Sequence, residues 1–117
     1  MVGMRQSIDQ QTIQFSAAPA YVAAAVEGAL AAVGEVKQAD RDTGQISGKV
    51  KKGMKGWDAT ADVEFLISQS GAQTEVQIQT SRDEGAIDMH GAQKAMEIVM
   101  AALQAEPALA GKSSAGW

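Results

Sequence analysis

Hydrophobic and polar positions alternate most clearly over residues 57–68, where Trp57, Ala59, Ala61, Val63, Phe65 and Ile67 interleave with Asp58, Thr60, Asp62, Glu64, Leu66 and Ser68. A period of two is the signature of a strand with one buried face. Ser70-Gly71 follows as a turn, and a two-residue hairpin there sets Phe65 opposite Val76 and Val63 opposite Ile78. The other face of the partner strand reads Glu75, Gln77, Gln79.

Upstream, Ile13 and Phe15 end a strand-like run over residues 8–15. Ser16 then offers a helix N-cap, with Pro19 tolerable in the first turn. Val22, Val26, Leu30 and Val33 recur at helical spacing, and Gly34 offers the left-handed residue that ends many helices. Two more strands flank the turn Asp42-Thr43-Gly44. A three-residue loop places Val50 opposite Val36 and Gly48 opposite Gln38, whereas a two-residue loop places Val50 opposite Lys37; pairing the valines is preferred. Gly53-Met54-Lys55-Gly56 is the next turn.

Ser81-Arg82-Asp83-Glu84 has the form of a capping box, with Asp88 as an alternative cap. From about Ala86 the helical period returns, with Ala92, Ala95, Met96, Val99, Ala102 and Leu103 in one stripe. Pro107 ends it, and residues 106–117 read as a disordered tail after a single domain over residues 5–105.

The element order is strand, helix, four strands, helix. Two helices with one apolar stripe each need one sheet face to cover. The expected fold is therefore an α+β two-layer sandwich, a five-stranded antiparallel sheet with both helices on one face and the first strand beside the fifth. This order, with the hairpin run Asp42-Thr43-Gly44-Gln45-Ile46-Ser47-Gly48, resembles the TATA-binding-protein-like, or helix-grip, topology found in many small bacterial domains. The resemblance implies a fold and carries no activity with it.

Composition narrows the function more than it names it. The 117 residues include no Cys and one His, with a net charge of −4. Disulfides, thiolate metal sites and thiol nucleophiles are thereby excluded, and a cytoplasmic location fits. The longest apolar stretch, Ala17 to Val33, is mostly alanine and broken by Glu27, which argues against a membrane span. Mild acidity and a polar sheet face without aromatic side chains argue against nucleic acid.

Each candidate site has a plain structural alternative. His90, the one histidine, reads as a first-turn polar residue of the last helix, because neither a His metal cluster nor a nucleophile motif accompanies it. Asp58, Asp62, Glu64 and Glu75 could do acid–base work or hold a cation, but on an open, flat face they read as cross-strand partners of Lys49 and Lys51. Lys49, Lys51, Lys52 and Lys55, with Trp57 beside them, form the best surface candidate, for an anion or an acidic partner; the alternative is a charged edge that blocks aggregation. Met89, Met96 and Met100 read as core, or else as the lining of a groove for an apolar ligand.

The expectation is thus a non-catalytic binding or interaction domain without a cofactor, partnered by another protein, by a second copy of itself or by a small ligand. A carrier of a small apolar ligand between sheet and last helix is the alternative. An enzyme working through the carboxylates ranks last. Zinc or calcium should leave the melting temperature unchanged, since only a ligand of the native state raises it. A clear rise at low metal concentration would establish a site at Asp58, Asp62 and Glu64.

Overall fold

In the computed structural model, which describes residues 5–54, 60–84, 91–107 and 109, strand β4 (Ala61–Ser70) carries the alternation into three dimensions. Ala61, Val63, Phe65 and Ile67 are buried, while Asp62, Glu64, Leu66 and Ser68 face outward. The hairpin to β5 (Gln73–Glu84) closes through Gly71 and Ala72, flanked by the pair Ser70–Gln73. Gly71 has φ 62°, the positive value that tight hairpin turns need at their first central position. The loop lies one residue later than expected, so every cross-strand partner moves by two. Phe65 pairs with Ile78 and Val63 with Thr80; the expected pairs Phe65–Val76 and Val63–Ile78 do not form. A shift of two preserves the faces, and all four apolar residues remain buried.

Strand β1 (Arg5–Phe15) runs antiparallel beside β5, and with β2 (Gly34–Asp40) and β3 (Gln45–Val50) the sheet order is β1-β5-β4-β3-β2. Neither expected register of the β2–β3 hairpin occurs. The loop has four residues, Arg41–Gly44, between the pair Asp40–Gln45. Asp40 Oδ1 accepts from the N–H groups of Asp42 (2.9 Å) and Thr43 (3.3 Å), and Gly44 closes the turn with φ 78°. A bulge between Val36 and Gln38 then shifts the ladder, so Val36 meets Gly48 and Val50 meets Gly34. Glycine decides this register. A Cβ on Gly34 would lie 1.8 Å from the Lys49 carbonyl oxygen, and one on Gly48 would lie 2.0 Å from that of Glu35. The two backbones come together where side chains are missing.

Helix α1 (Pro19–Val33) begins later than Ser16 predicts. Its N-cap is Ala18, extended at φ −65° and ψ 148° and without a side-chain cap. Proline forces the preceding residue out of the helical region, so Pro19 and not Ser16 fixes the start. Its other end has no left-handed glycine, because Gly34 is extended (φ −176°) and already belongs to β2. The Val33 carbonyl is satisfied instead by the N–H groups of Lys51 (2.9 Å) and Lys52 (2.8 Å). Val22, Ala23, Ala25, Val26, Ala29 and Leu30 form its buried face.

Ser81-Arg82-Asp83-Glu84 is strand and not a capping box, since β1 pairs with β5 as far as Arg5–Glu84 and β4 pairs with Ser81 on the other side. Ladder bonds hold it extended. Helix α2 spans Gly91–Ala105, and the expected start near Ala86, with Asp88, lies outside the described residues. Two buried hydroxyls pin its first turn to the sheet. Thr80 Oγ1 donates to the Ala92 carbonyl (2.7 Å), and Ser7 Oγ accepts from the Ala92 N–H (3.1 Å). Thr74 Oγ1 ties the approach to α1 in the same way, through the Ala17 carbonyl.

Both helices cover the face bearing Val63, Phe65 and Ile78, α1 over β2–β4 and α2 over β1, β5 and β4, which makes two layers. Packing continues past residue 105, where the expected domain ends. The N–H of Leu109 bonds to the Glu106 carbonyl (3.0 Å) and its side chain is buried in the core.

Two alanine substitutions with opposite signs follow. Gly34→Ala should destabilise by roughly 1–3 kcal/mol, because its Cβ meets backbone that cannot yield. Gly28→Ala should stabilise by about 0.5–1 kcal/mol, because Gly28 is exposed within α1 and its nearest obstacle is the Glu106 carboxylate at 3.5 Å. Urea unfolding of the two variants measures both.

Candidate functional site

The outer face of the sheet, opposite the helices, is where the registers gather polar side chains. One row crosses all five strands as Gln10, Gln79, Glu64, Ser47 and Gln38. The next row is Thr12, Gln77, Leu66, Gln45 and Asp40, and on the other side lies Ile8, Ser81, Asp62, Lys49 and Glu35. The first two rows, apart from Asp40, floor a hollow of about 420 Å³. A second hollow of about 270 Å³, reaching Lys37 and Ser81, shares Ser47, Glu64 and Gln79 with it. The face expected to be flat is therefore concave. Six of the residues around the larger hollow are glutamines: Gln11, and from the two rows Gln10, Gln38, Gln45, Gln77 and Gln79. Leu66 stands among them 38% exposed, and Ile8 is 54% exposed at the edge of the same face.

The chemistry of this surface is that of amides. Each glutamine offers a donor pair and an acceptor, carries no charge and does not titrate. Gln10 Nε2 donates to Gln79 Oε1 at 2.7 Å, and Gln77 Nε2 to Glu75 Oε2 at 3.0 Å. Such a surface can bind and orient a polar ligand.

The acidic candidates are dispersed. Asp62 faces Lys49 at 3.4 Å, Glu75 accepts from Gln77, and Glu64 stands exposed on the floor of the hollow. Asp58 and His90 lie outside the described residues. Among the described residues no group of three His, Cys, Asp or Glu side chains could hold a metal ion.

Of the basic cluster, Lys49 projects from β3 onto the outer face toward Asp62. Lys51 turns to Glu35 at 2.8 Å, and Lys37 approaches the same carboxylate at 3.2 Å. Lys52 is exposed at the turn, while Lys55 and Trp57 lie outside the described residues. Two of the lysines expected to await an anion thus already face a carboxylate. Met96 is buried under α2 and Met100 packs at the border of the core; Met89 lies outside the described residues.

Sequence reasoning placed Glu75, Gln77 and Gln79 on one face of a strand and weighed Glu75 among the candidate carboxylates, but did not join Gln77 and Gln79 to the other glutamines. The missing signal was the alignment of Gln10, Gln38 and Gln45 with them, which depends on registers.

No protein-family model matches the chain, and no curated protein matches it at a significant level. Among the described residues no helix is long and apolar enough to cross a membrane.

The hydrogen bond from Lys51, and then that from Lys37, hold the Glu35 carboxyl below its ordinary 4.5. A depressed folded-state value adds stability above about pH 4.5 that disappears as pH falls through the lowered value. Glu35 is solvent-exposed, so salt screens the effect. Lys51→Ala should move the Glu35 titration, followed by carboxyl-carbon NMR, back toward 4.5 at low salt. An unchanged titration would show that the pair does not persist in solution.

Proposed function

We propose that this chain is a non-catalytic binding domain that takes an uncharged, extended polypeptide segment across the outer face of its sheet. The observation that carries the reading is the pair of adjacent rows lining the larger hollow, in which the amides and hydroxyls of Gln10, Gln79, Ser47, Gln38, Thr12, Gln77 and Gln45 surround one carboxylate, Glu64, and the exposed Leu66. Peptide groups present alternating donors and acceptors, which glutamine side chains complement, and the Glu64 carboxylate adds an acceptor for a peptide N–H. Five strands span four spacings of about 4.8 Å, roughly 19 Å, the length of about six extended residues. Leu66 gives one apolar side chain of such a ligand a place to rest.

The carboxylates support catalysis poorly, being dispersed or facing lysines. The turn at Lys49, Lys51 and Lys52 is the lesser surface, because Asp62 and Glu35 offset two of its charges. An apolar-ligand carrier needs room under α2, where Met96, Val99 and Leu103 fill the interface. The two-layer plan with both helices on one face keeps the helix-grip resemblance as part of this proposal. A cysteine-free chain suits the reducing cytoplasm.

The test is an amide NMR titration with capped, uncharged six-residue peptides rich in Ser, Thr, Asn and Val. Shifts should cluster at Gln10, Ser47, Glu64, Leu66 and Gln79 and persist in high salt. Gln79→Ala should weaken binding about fivefold, the value of a hydrogen bond worth roughly 1 kcal/mol. Shifts confined to residues 49–52, appearing only with acidic peptides and lost in salt, would move the function to the basic turn.

A further inference from the structure

The two edges of the sheet differ. Strand β2 carries the devices by which proteins blunt an open edge: a bulge at Val36–Gln38, a run of only seven residues, and the charges of Glu35, Lys37 and Asp40. Strand β1 at the other edge is eleven residues long, pairs with β5 without a register shift, and contains neither proline nor lysine. Across Gln6–Gln14 its only charged residue is Asp9. The Gln10 N–H donates to Asp9 Oδ1 at 3.0 Å, a local bond that an N–H can make when it points away from β5. The middle of β1 therefore offers its backbone to the open side of the sheet, guarded by a single carboxylate.

We propose that two copies of the chain associate through this edge, β1 against β1 antiparallel about a two-fold axis at Gln10, to form one continuous ten-stranded sheet. The strand selects its own partner. Gln10 is the midpoint of Arg5–Phe15, so pairing it with the partner's Gln10 brings all eleven residues into register. The same register keeps outer-facing residues on the outer face, because partner numbers sum to an even value. Asp9 then falls opposite the partner's Gln11 and Ile8 opposite the partner's Thr12, so no like charges meet and the exposed Ile8 gains a neighbour. The Gln10 N–H exchanges its bond to Asp9 for one to the partner's Gln10 carbonyl. A lysine-bearing or bulged strand such as β2 fits this edge less well.

The hollow reaches β1 through Gln10, Gln11 and Thr12, so the two-fold joins two hollows into one outer surface. The proposal deepens the interaction-domain reading by naming a partner. It stands on the strand edge, while that reading stands on the hollow, so peptide binding by a stable monomer would refute the dimer and leave the binding face intact.

Sedimentation velocity from 1 to 500 µM (roughly the span separating micromolar from weaker dimers) on the full chain, with Gln10→Pro and Gln10→Lys beside it, tests the pairing. The wild type should sediment as a concentration-dependent dimer. Proline removes the N–H on the open side and lysine sets two like charges at the axis, so each should raise the dimer dissociation constant at least about tenfold, equivalent to roughly 1.4 kcal/mol. Circular dichroism should show both variants folded, and if proline disturbs β1 itself, the lysine variant alone decides. A monomer throughout, or a dimer that Gln10→Lys leaves intact, would overturn the proposal.

Discussion

Everything else in this fold depends on sealing one face of the sheet. Val63, Phe65, Val76 and Ile78 are apolar on one side only, and α1 and α2 are the cover. The helices are rich in alanine and can lie close, and buried hydroxyls rather than charges fasten their approaches: Thr80 and Ser7 on the two backbone groups of Ala92, and Thr74 on the Ala17 carbonyl. A hydroxyl that satisfies a buried backbone group avoids the desolvation cost of an orphaned one. With the inner face closed by these contacts, the proposed interactions are those of the outer face and an edge.

The outer face is unusual in what it does with its freedom. Solvated sheets commonly alternate opposite charges, and the row from Ile8 to Glu35 does so with Asp62 and Lys49. One step along the strands amides outnumber charges, with Glu64 the one charged residue lining the hollow there. Charged side chains hold water more tightly than amides, so the glutamines around Glu64 release water at lower cost than a fully charged row would. The contrast between adjacent rows is the physical basis of the proposal that binding belongs to the amide rows and solvation to the charged one.

The same contrast explains what was legible in the sequence. Faces were readable, because parity along a strand survives an error in the loop: Phe65 and Val63 are buried although their partners are not the expected ones. Registers were not, because they were fixed by the left-handed Gly71, by the four-residue loop that Asp40 organises, and by the contact of Gly34 and Gly48 with opposing backbone. Helix α1 starts where Pro19 allows rather than at a side-chain cap, and Ser81 is held in strand pairing, which is why Ser16 and Ser81 misled. The hollow is a product of registers, so Gln77 and Gln79 were visible as a face while Gln10, Gln38 and Gln45 could not be joined to them.

The account rests on the claim that the inner face is closed and the outer face open. Paramagnetic broadening of methyl NMR signals by a soluble, neutral gadolinium chelate measures this directly. Leu66, at the centre of the outer face, should broaden strongly, while the methyls of Ile78, Leu30 and Leu103 under the helices should be spared. A protected Leu66, or broadening of Leu103 and Ile78 comparable to it, would contradict the division of the sheet into a sealed face and a working one.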